Sequence, residues 1–217
     1  YVEDHLISPN MIEQKDKSSF LLRNDEKATI MINEEDHLRI QTLSPGLNLR
    51  EGWRICSYID DALEAKLDYA YDEKWGYLTT CPTNVGTGLR ASVMLHLPSV
   101  SMTRNINTII EGLRKIGLTA RGLYGEGSEA LGFLYQISNQ TTLGESEEEI
   151  IDKLNKVVLQ IIARERSTRN HLKERKKIEL EDKIFRSYGI LTHGRILSSK
   201  EAMEHLSNAR LGWIMGM

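Results

Sequence analysis

The segment CPTNVGTGLRAS, residues 81–92 of the 217-residue chain, is central to the predicted fold. It holds one of two cysteines, two close glycines that free the backbone, and Arg90 at the entrance to a strand-like run. Two further stretches, NEEDHLR (residues 33–39) and RGLYGEGSEA (residues 121–130), also bring arginines and acids together. This combination predicts a site for a highly charged ligand such as a nucleotide phosphate.

Composition narrows the class of protein. Hydrophobic residues make up 40% and charged residues 27%, as in an ordinary soluble protein, and the formal net charge is −3. We therefore expect neither a nucleic acid nor a membrane as a direct partner. Cys56 and Cys81 do not make a disulfide framework, which favours a reducing cytoplasm. Because the chain begins with Tyr1, we expect a fragment whose start is missing.

Alternation of apolar and polar residues predicts six strands with helices between them. The predicted strands cover residues 18–23, 27–32, 37–43, 90–97, 118–123 and 133–138. The predicted helices cover residues 53–71, a stripe from Ile106 to Ile116 closed by Gly117, and the segments after capping boxes at Ser146 and Ser198. This pattern predicts an α+β domain: an antiparallel sheet with one face covered by helices and the other open to a ligand.

A change in composition near residue 165 is the predicted domain boundary, so that the domains are residues 1–165 and 166–217. The run of charges beyond Ala163 is interpreted as a solvated continuation of a helix. The second capping box predicts a short helix through Leu206, and residues 210–217 look unfinished.

Two features of the sequence suggest a functional role but are better explained by local structure. Residues 86–91, GTGLRA, match the dinucleotide fingerprint, but that fingerprint needs a helix after the glycines and here a strand is predicted. Cys56 shares a helical stripe with Ile59 and Leu63, so it is expected to be a buried small hydrophobic residue.

The three polar stretches together indicate chemistry on a phosphate. Arg39, Arg90 and Arg121 each lie at or near a predicted strand, and guanidinium forks match phosphate oxygens. Each arginine taken alone would more often form a surface ion pair, so the hypothesis depends on all three stretches. Glu35 and Glu126 are acids that could hold a guanidinium group, as carboxylate pairs do.

The same stretches resemble the phosphagen kinase (ATP:guanido kinase) family. The matching segments are residues 33–40, 81–84, 86–93, 121–122, 125–126 and 129–130. The resemblance covers residues 1–165 and implies a glutamine-synthetase-like catalytic domain with its upstream part missing, followed by the incomplete start of a helical C-terminal domain. Within the family, the sequence is most similar to the bacterial protein-arginine kinases, in GEGSEA (residues 125–130), MLHLP (94–98) and RSYGI (186–190).

The resemblance implies transfer of the ATP γ-phosphoryl group to a guanidinium nitrogen of arginine in a protein. Glu35 would orient the guanidinium and take its proton, Glu126 would grip it from a mobile loop, and Cys81 would contact it as a thiolate. The implied nucleotide-binding residues are Arg39, Arg90, Arg121, His37, Asn84, Gly86 and Ser92. Mg²⁺ would contact Glu34 and Asp36 only through water molecules and would have no direct protein ligands.

The resemblance also implies partners and leaves alternatives. It implies a role in stress response, with proteins marked for a Clp-type unfoldase and protease, a zinc-binding activator protein, and a possible homodimer. One alternative is a kinase of free arginine or another small guanidine. Another is a non-catalytic adaptor that recognises arginine-bearing partners.

Overall fold

The computed structural model describes residues 1–122 and 130–217, which form two compact units. The first unit comprises Tyr1–Ala91 and Thr141–Asn155, and the second comprises Ser92–Gln140 and Lys156–Met217. Glu126, with the rest of residues 123–129, lies outside the described residues.

The first unit is built on an antiparallel meander. Its strands are β1 (Ser19–Leu22), β2 (Ala28–Ile32) and β3 (Leu38–Thr42), in the order β1-β2-β3. Arg39 of β3 pairs in register with the fully buried Met31 of β2. The strands lie where alternation predicts them, because one side of the meander packs inward.

Helices and a short hairpin complete the first unit: α1 (Asn10–Glu13), α2 (Leu49–Glu64), β4 (Tyr71–Asp72) and β5 (Gly76–Tyr77). The predicted helix over residues 53–71 is wrong at both ends, since α2 begins four residues earlier and ends at Glu64. Its last turn carries acids and no basic residue, which the negative end of the helix dipole disfavours. Ile55, rather than Cys56, is its buried residue, and Leu67 lies exposed beyond it.

The second unit contains an antiparallel sheet of β6 (Ser92–His96), β7 (Leu118–Gly122) and β8 (Leu134–Asn139), in the order β6-β8-β7. Its two faces differ as the alternation predicts. Val93, Ile137 and Leu118 share a buried face, while Gln136 and Arg121 lie opposite each other on the other face. Helix α3 (Pro98–Met102) begins at a proline two residues after the end of β6, and α4 (Ile106–Arg114) packs on β7.

Three long helices follow β8: α5 (Glu147–Arg175), α6 (Lys177–His193) and α7 (Ser199–Met215). Both predicted capping boxes begin helices, since Ser146 Oγ accepts from Glu149 N and Ser198 Oγ from Glu201 N, each at 3.3 Å. Helix α7 continues to Met215, so the prediction of a short helix with an unfinished end is wrong. The sequence of residues 210–217 does not predict a helix, because glycine is a poor helix former and stands at position 212. In the structure Gly212 packs closely against Ile184, which leaves no room for a Cβ at this position.

The charge-dense part of α5 is only partly solvated. Glu165, Thr168 and Leu172 are buried along one face of the helix, at the i, i+3, i+7 spacing of an inward stripe. Leu172 packs in a cluster with Leu180, Ile184, Leu211 and Met215. The predicted boundary at residue 165 lies inside α5 and remains a prediction.

The prediction of an α+β fold with antiparallel sheets and a C-terminal helical segment is confirmed. Over the described ranges, no helix is both long enough and apolar enough to cross a membrane.

Candidate functional site

The acidic loop, residues 33–37, connects β2 and β3 in the first unit. Asn33 adopts a positive φ of 55° and its N–H donates to the His37 carbonyl at 3.0 Å, which closes the loop. Asparagine tolerates the left-handed region better than most residues, so the tight connection suits this sequence. The loop places Glu34, Glu35 and Asp36 in three different environments.

Glu34 points into the unit and is held by hydrogen bonds. Its side chain is 2% exposed, with Oε2 3.2 Å from Arg39 Nη1 and Oε1 accepting from Asn10 Nδ2 at 3.1 Å. Burial by itself would raise the pKa of Glu34, but hydrogen bonds from Ser8 and Arg39 and the charge of Arg39 lower it below its usual value. Glu34 is therefore an anion that orients Arg39.

Glu35 is exposed at the tip of the acidic loop. Within the part of the chain that the structure describes, its carboxylate has no hydrogen bond or ion pair, so both oxygens can accept from a ligand. His37 is exposed as well, with Nδ1 3.4 Å from Asn33 Oδ1. Of the three acids in the loop, Glu35 is thus the one presented to solvent.

Asp36 is half-buried and joins the acidic loop to the cysteine turn, residues 81–85. Its Oδ1 accepts from Cys81 N at 3.0 Å, and its Oδ2 accepts from Asn84 Nδ2 at 2.7 Å. A 3-10 helix over Pro82–Asn84 shapes the turn, and Cys81 Sγ lies 3.1 Å from Thr83 Oγ1. The structure therefore brings together two of the predicted stretches.

Gly86 lies where the backbone approaches two other segments. It has a φ of 112°, and a Cβ there would come within 2.2 Å of the Thr142 carbonyl oxygen. Its carbonyl also accepts from Tyr77 N at 2.8 Å. Strand β6 follows the glycines, which excludes the helix that the dinucleotide fingerprint requires.

The second unit carries Ser92 and Arg121. Both belong to the polar face of its sheet, where Gln136 of β8 pairs with Arg121 of β7 and donates from Nε2 to Ser92 Oγ at 3.0 Å. The sequence analysis missed Gln136, although its central position on the polar face of a predicted strand was an available signal. Arg90, in the first unit, is exposed.

Sequence reasoning also missed Thr142. Its Oγ1 donates to the carbonyls of Thr83 at 3.0 Å and Val85 at 2.7 Å, and its own carbonyl accepts from Thr87 N at 2.8 Å. No pattern marks a threonine in a short connection as such an anchor. It therefore holds carbonyl groups of the cysteine turn, whereas Asp36 accepts from N–H groups.

The residues expected near Mg²⁺ can be tested for their fit. Glu34 is buried against Arg39, and Asp36 uses both oxygens within the protein. Among residues 1–122 and 130–217, no three His, Cys, Asp or Glu side chains cluster as metal ligands. These two acids therefore fit the ion poorly as direct ligands, and Mg²⁺ often binds through substrate phosphates.

The comparison with family models assigns the class of protein. Residues 1–168 match the ATP:guanido phosphotransferase C-terminal catalytic domain, and residues 177–217 match the protein-arginine kinase McsB C-terminal domain. The chain belongs to the ATP:guanido phosphotransferase family, which confirms the resemblance inferred from its motifs.

The relatives narrow the comparison within this family. The chain is 57% identical over 216 residues to a protein-arginine kinase of Halalkalibacterium halodurans and 56% identical to one of Brevibacillus brevis. These alignments cover 100% of the chain but 61% and 60% of the relatives, so the chain spans about three fifths of their length.

Solved structures support the fold. A lombricine kinase has a TM-score of 0.64 at 30% identity, covering 76% of this chain and 49% of that one. A duplicated taurocyamine kinase from Schistosoma mansoni with bound transition state analog components has a TM-score of 0.65 at 28% identity, covering 76% and 24%.

Proposed function

We propose that this protein transfers the γ-phosphoryl group of ATP to guanidinium nitrogens of arginine side chains in proteins. The observation that carries the proposal is the link between the acidic loop and the cysteine turn. The exposed carboxylate of Glu35 lies one residue from Asp36, whose side chain holds Cys81 and Asn84. A base and a thiol on two linked segments suit a guanidinium substrate, and relatives at 57% and 56% identity are named protein-arginine kinases.

The reaction needs a base because a guanidinium keeps its proton up to a pH of about 12, and the protonated group is a poor nucleophile. Glu35 would accept a hydrogen bond from the guanidinium and take its proton as nitrogen attacks the γ-phosphorus. The N–P bond forms while the bond from the γ-phosphorus to the bridging oxygen breaks, and the electron pair leaves with ADP. Phosphoryl transfer depends on such positioning more than on covalent help.

Charge on the transferring group would be balanced by arginines. Arg39, already oriented by Glu34, with Arg90 and Arg121 would bind ATP phosphate oxygens through guanidinium forks. His37, Asn84, Gly86 and Ser92 complete the proposed nucleotide site, and Glu126 would grip the substrate guanidinium. Mg²⁺ bound to the phosphates would neutralise further charge.

A second candidate is phosphorylation of a small guanidine compound. Its support is the fold shared with a lombricine kinase at 30% identity. The higher identity to protein-arginine kinases favours protein substrates instead.

The test uses the protein at its full natural length with Mg-ATP and either free arginine or an unfolded protein that contains arginine, such as casein. Mass spectrometry and ³¹P NMR would detect acid-labile phosphate. Phosphoarginine in the protein but not on free arginine is the expected result. Phosphorylated free arginine would support the second candidate, and ATP binding without transfer to either would contradict both and leave an arginine-recognising adaptor.

The resemblance to bacterial protein-arginine kinases supports further proposals. Phosphoarginine would mark stress-damaged proteins for a Clp-type unfoldase and protease in the cytoplasm, with a zinc-binding activator protein and a homodimer of the kinase. Residues 1–165 would be the catalytic domain, and residues 166–217 would begin a helical C-terminal domain.

A further inference from the structure

Asp36 connects parts of the first unit that are far apart in the chain. Its carboxylate contacts Cys81, which lies 45 positions later in the sequence, and Asn84, which lies 48 positions later. Each oxygen accepts one hydrogen bond, and both donors belong to the cysteine turn. Two bonds from one planar group fix the orientation of the turn as well as its distance from the acidic loop.

The other anchors of the turn act on its carbonyl groups. Thr79 Oγ1 donates to the Cys81 carbonyl at 2.6 Å, and Thr142 Oγ1 donates to the carbonyls of Thr83 and Val85. Asp36 acts instead on N–H groups, which need an acceptor. Its contacts are therefore not duplicated by these threonines.

We propose that Asp36 is a positioning residue that sets the placement of Cys81 relative to Glu35, rather than a residue that serves Mg²⁺. The inference deepens the proposed function and depends on it, because Glu35 and Cys81 are the groups expected to hold the guanidinium. Glu35 and Asp36 are neighbours in one tight loop, so the bonds made by Asp36 determine where Cys81 lies relative to Glu35. Displacement by about 1 Å can lower a rate about 100-fold.

The geometry requires two acceptors at this position. In Asp36→Asn one oxygen becomes an amide N–H₂, which then faces either Cys81 N–H or the Asn84 amide, donor against donor. Asn84→Asp breaks the same contact by placing two carboxylates together. The reciprocal double variant Asp36→Asn/Asn84→Asp restores a donor–acceptor pair, with the amide and the carboxylate exchanged.

The experiment compares wild type, both single variants and the double variant at full natural length. The first readout is the rate of iodoacetamide alkylation of Cys81 against pH, measured in a Cys56→Ser background. The second is kcat and KM for the arginine substrate at several Mg²⁺ concentrations. Asp16→Asn, a change of the same type at an exposed aspartate, is the matched control.

Each single variant is expected to shift the alkylation profile and to lower kcat about 10- to 100-fold, and Asp36→Asn should leave the KM for ATP unchanged. The double variant is expected to recover most of both losses. A double variant no better than the worse single one would overturn the proposal, as would rescue of Asp36→Asn by added Mg²⁺ with unchanged alkylation.

Two further measurements keep the test decisive. If Asp36→Asn fails to fold by circular dichroism, Asn84→Ala removes only one donor, and it should shift the alkylation profile in the same direction by less. Because alkylation does not depend on phosphoryl transfer, a wild type that transfers no phosphate to arginine would contradict the proposed function while the contact is still tested.

Discussion

The two units use their polar side chains differently. In the first unit, Asp36 and Thr142 hold the backbone around loops whose reactive groups, above all Glu35, remain exposed. In the second unit, the buried Glu165 and the half-buried His96 bind helices within the packed structure. Substitutions in the exposed loops of the first unit should therefore change activity, and substitutions of the buried polar groups in the second unit should change stability.

The largest expected effect comes from Glu35→Gln, which removes the base but keeps the size of an exposed side chain. We expect kcat to fall about 1,000-fold, in the middle of the range for a lost general base. ATP binding, measured by calorimetry, and the free energy of unfolding should stay close to wild type. Glu3→Gln, at another exposed glutamate, should leave kcat unchanged. Full activity of Glu35→Gln would contradict the assignment.

Gly86→Ala tests whether the first unit also contains a rigid position. The new Cβ would meet the Thr142 carbonyl oxygen at 2.2 Å with φ at 112°, so the free energy of unfolding should fall by roughly 3 kcal/mol. Gly88→Ala is the control, because φ is also positive there but the nearest atom is 3.9 Å away. Equal losses in urea unfolding would show that the close approach does not matter.

Glu165→Gln should destabilise the second unit without a specific effect on chemistry. The buried carboxylate accepts from Ser99 N at 3.1 Å and Val100 N at 3.0 Å, and Arg169 lies 3.4 Å from Oε1. Replacing one acceptor by an amide group leaves a buried N–H without a partner, at a cost of about 2 kcal/mol. Urea unfolding measures the loss, and Glu174→Gln on the exposed side of α5 should cost almost nothing.

His96 should give the smallest effect at neutral pH, and its effect should develop only at acid pH. Burial, with the charges of Arg210 and Arg169, lowers the pKa of His96 to about 4, and Nε2 lies 2.7 Å from Ser207 Oγ. The ordinary pKa of His96 is 6.5, so between pH 6.5 and pH 4 the unfolded chain binds a proton that the folded unit does not. The free energy of unfolding therefore decreases as the pH falls through this range.

Unfolding free energies at pH 7 and pH 4.5 test this dependence on acid. The variant His96→Gln should show a smaller loss than wild type between the two values, whereas exposed His193→Gln should match wild type. An identical loss in the His96 variant would mean that other groups cause the acid sensitivity.

Local patterns predicted most of the elements and part of the site. Alternation located β3 and β6, and the serines of the two capping boxes located the starts of α5 and α7, because period and capping depend on neighbours in the chain. The ends of α2 and α7 were missed, since propensity is weak there and packing decides, as at Gly212 against Ile184.

The amino-acid sequence was sufficient to identify the class of protein, because Glu35, Cys81 and Arg90 occur in motifs whose order and spacing are specific to the family. Which acids are exposed to a ligand and which form bonds within the protein depends on the tertiary contacts. Glu34, Glu35 and Asp36 are adjacent and chemically alike, yet one is buried against Arg39, one is exposed and one holds the cysteine turn. The partners that separate them lie up to 48 residues away, beyond the reach of any local pattern.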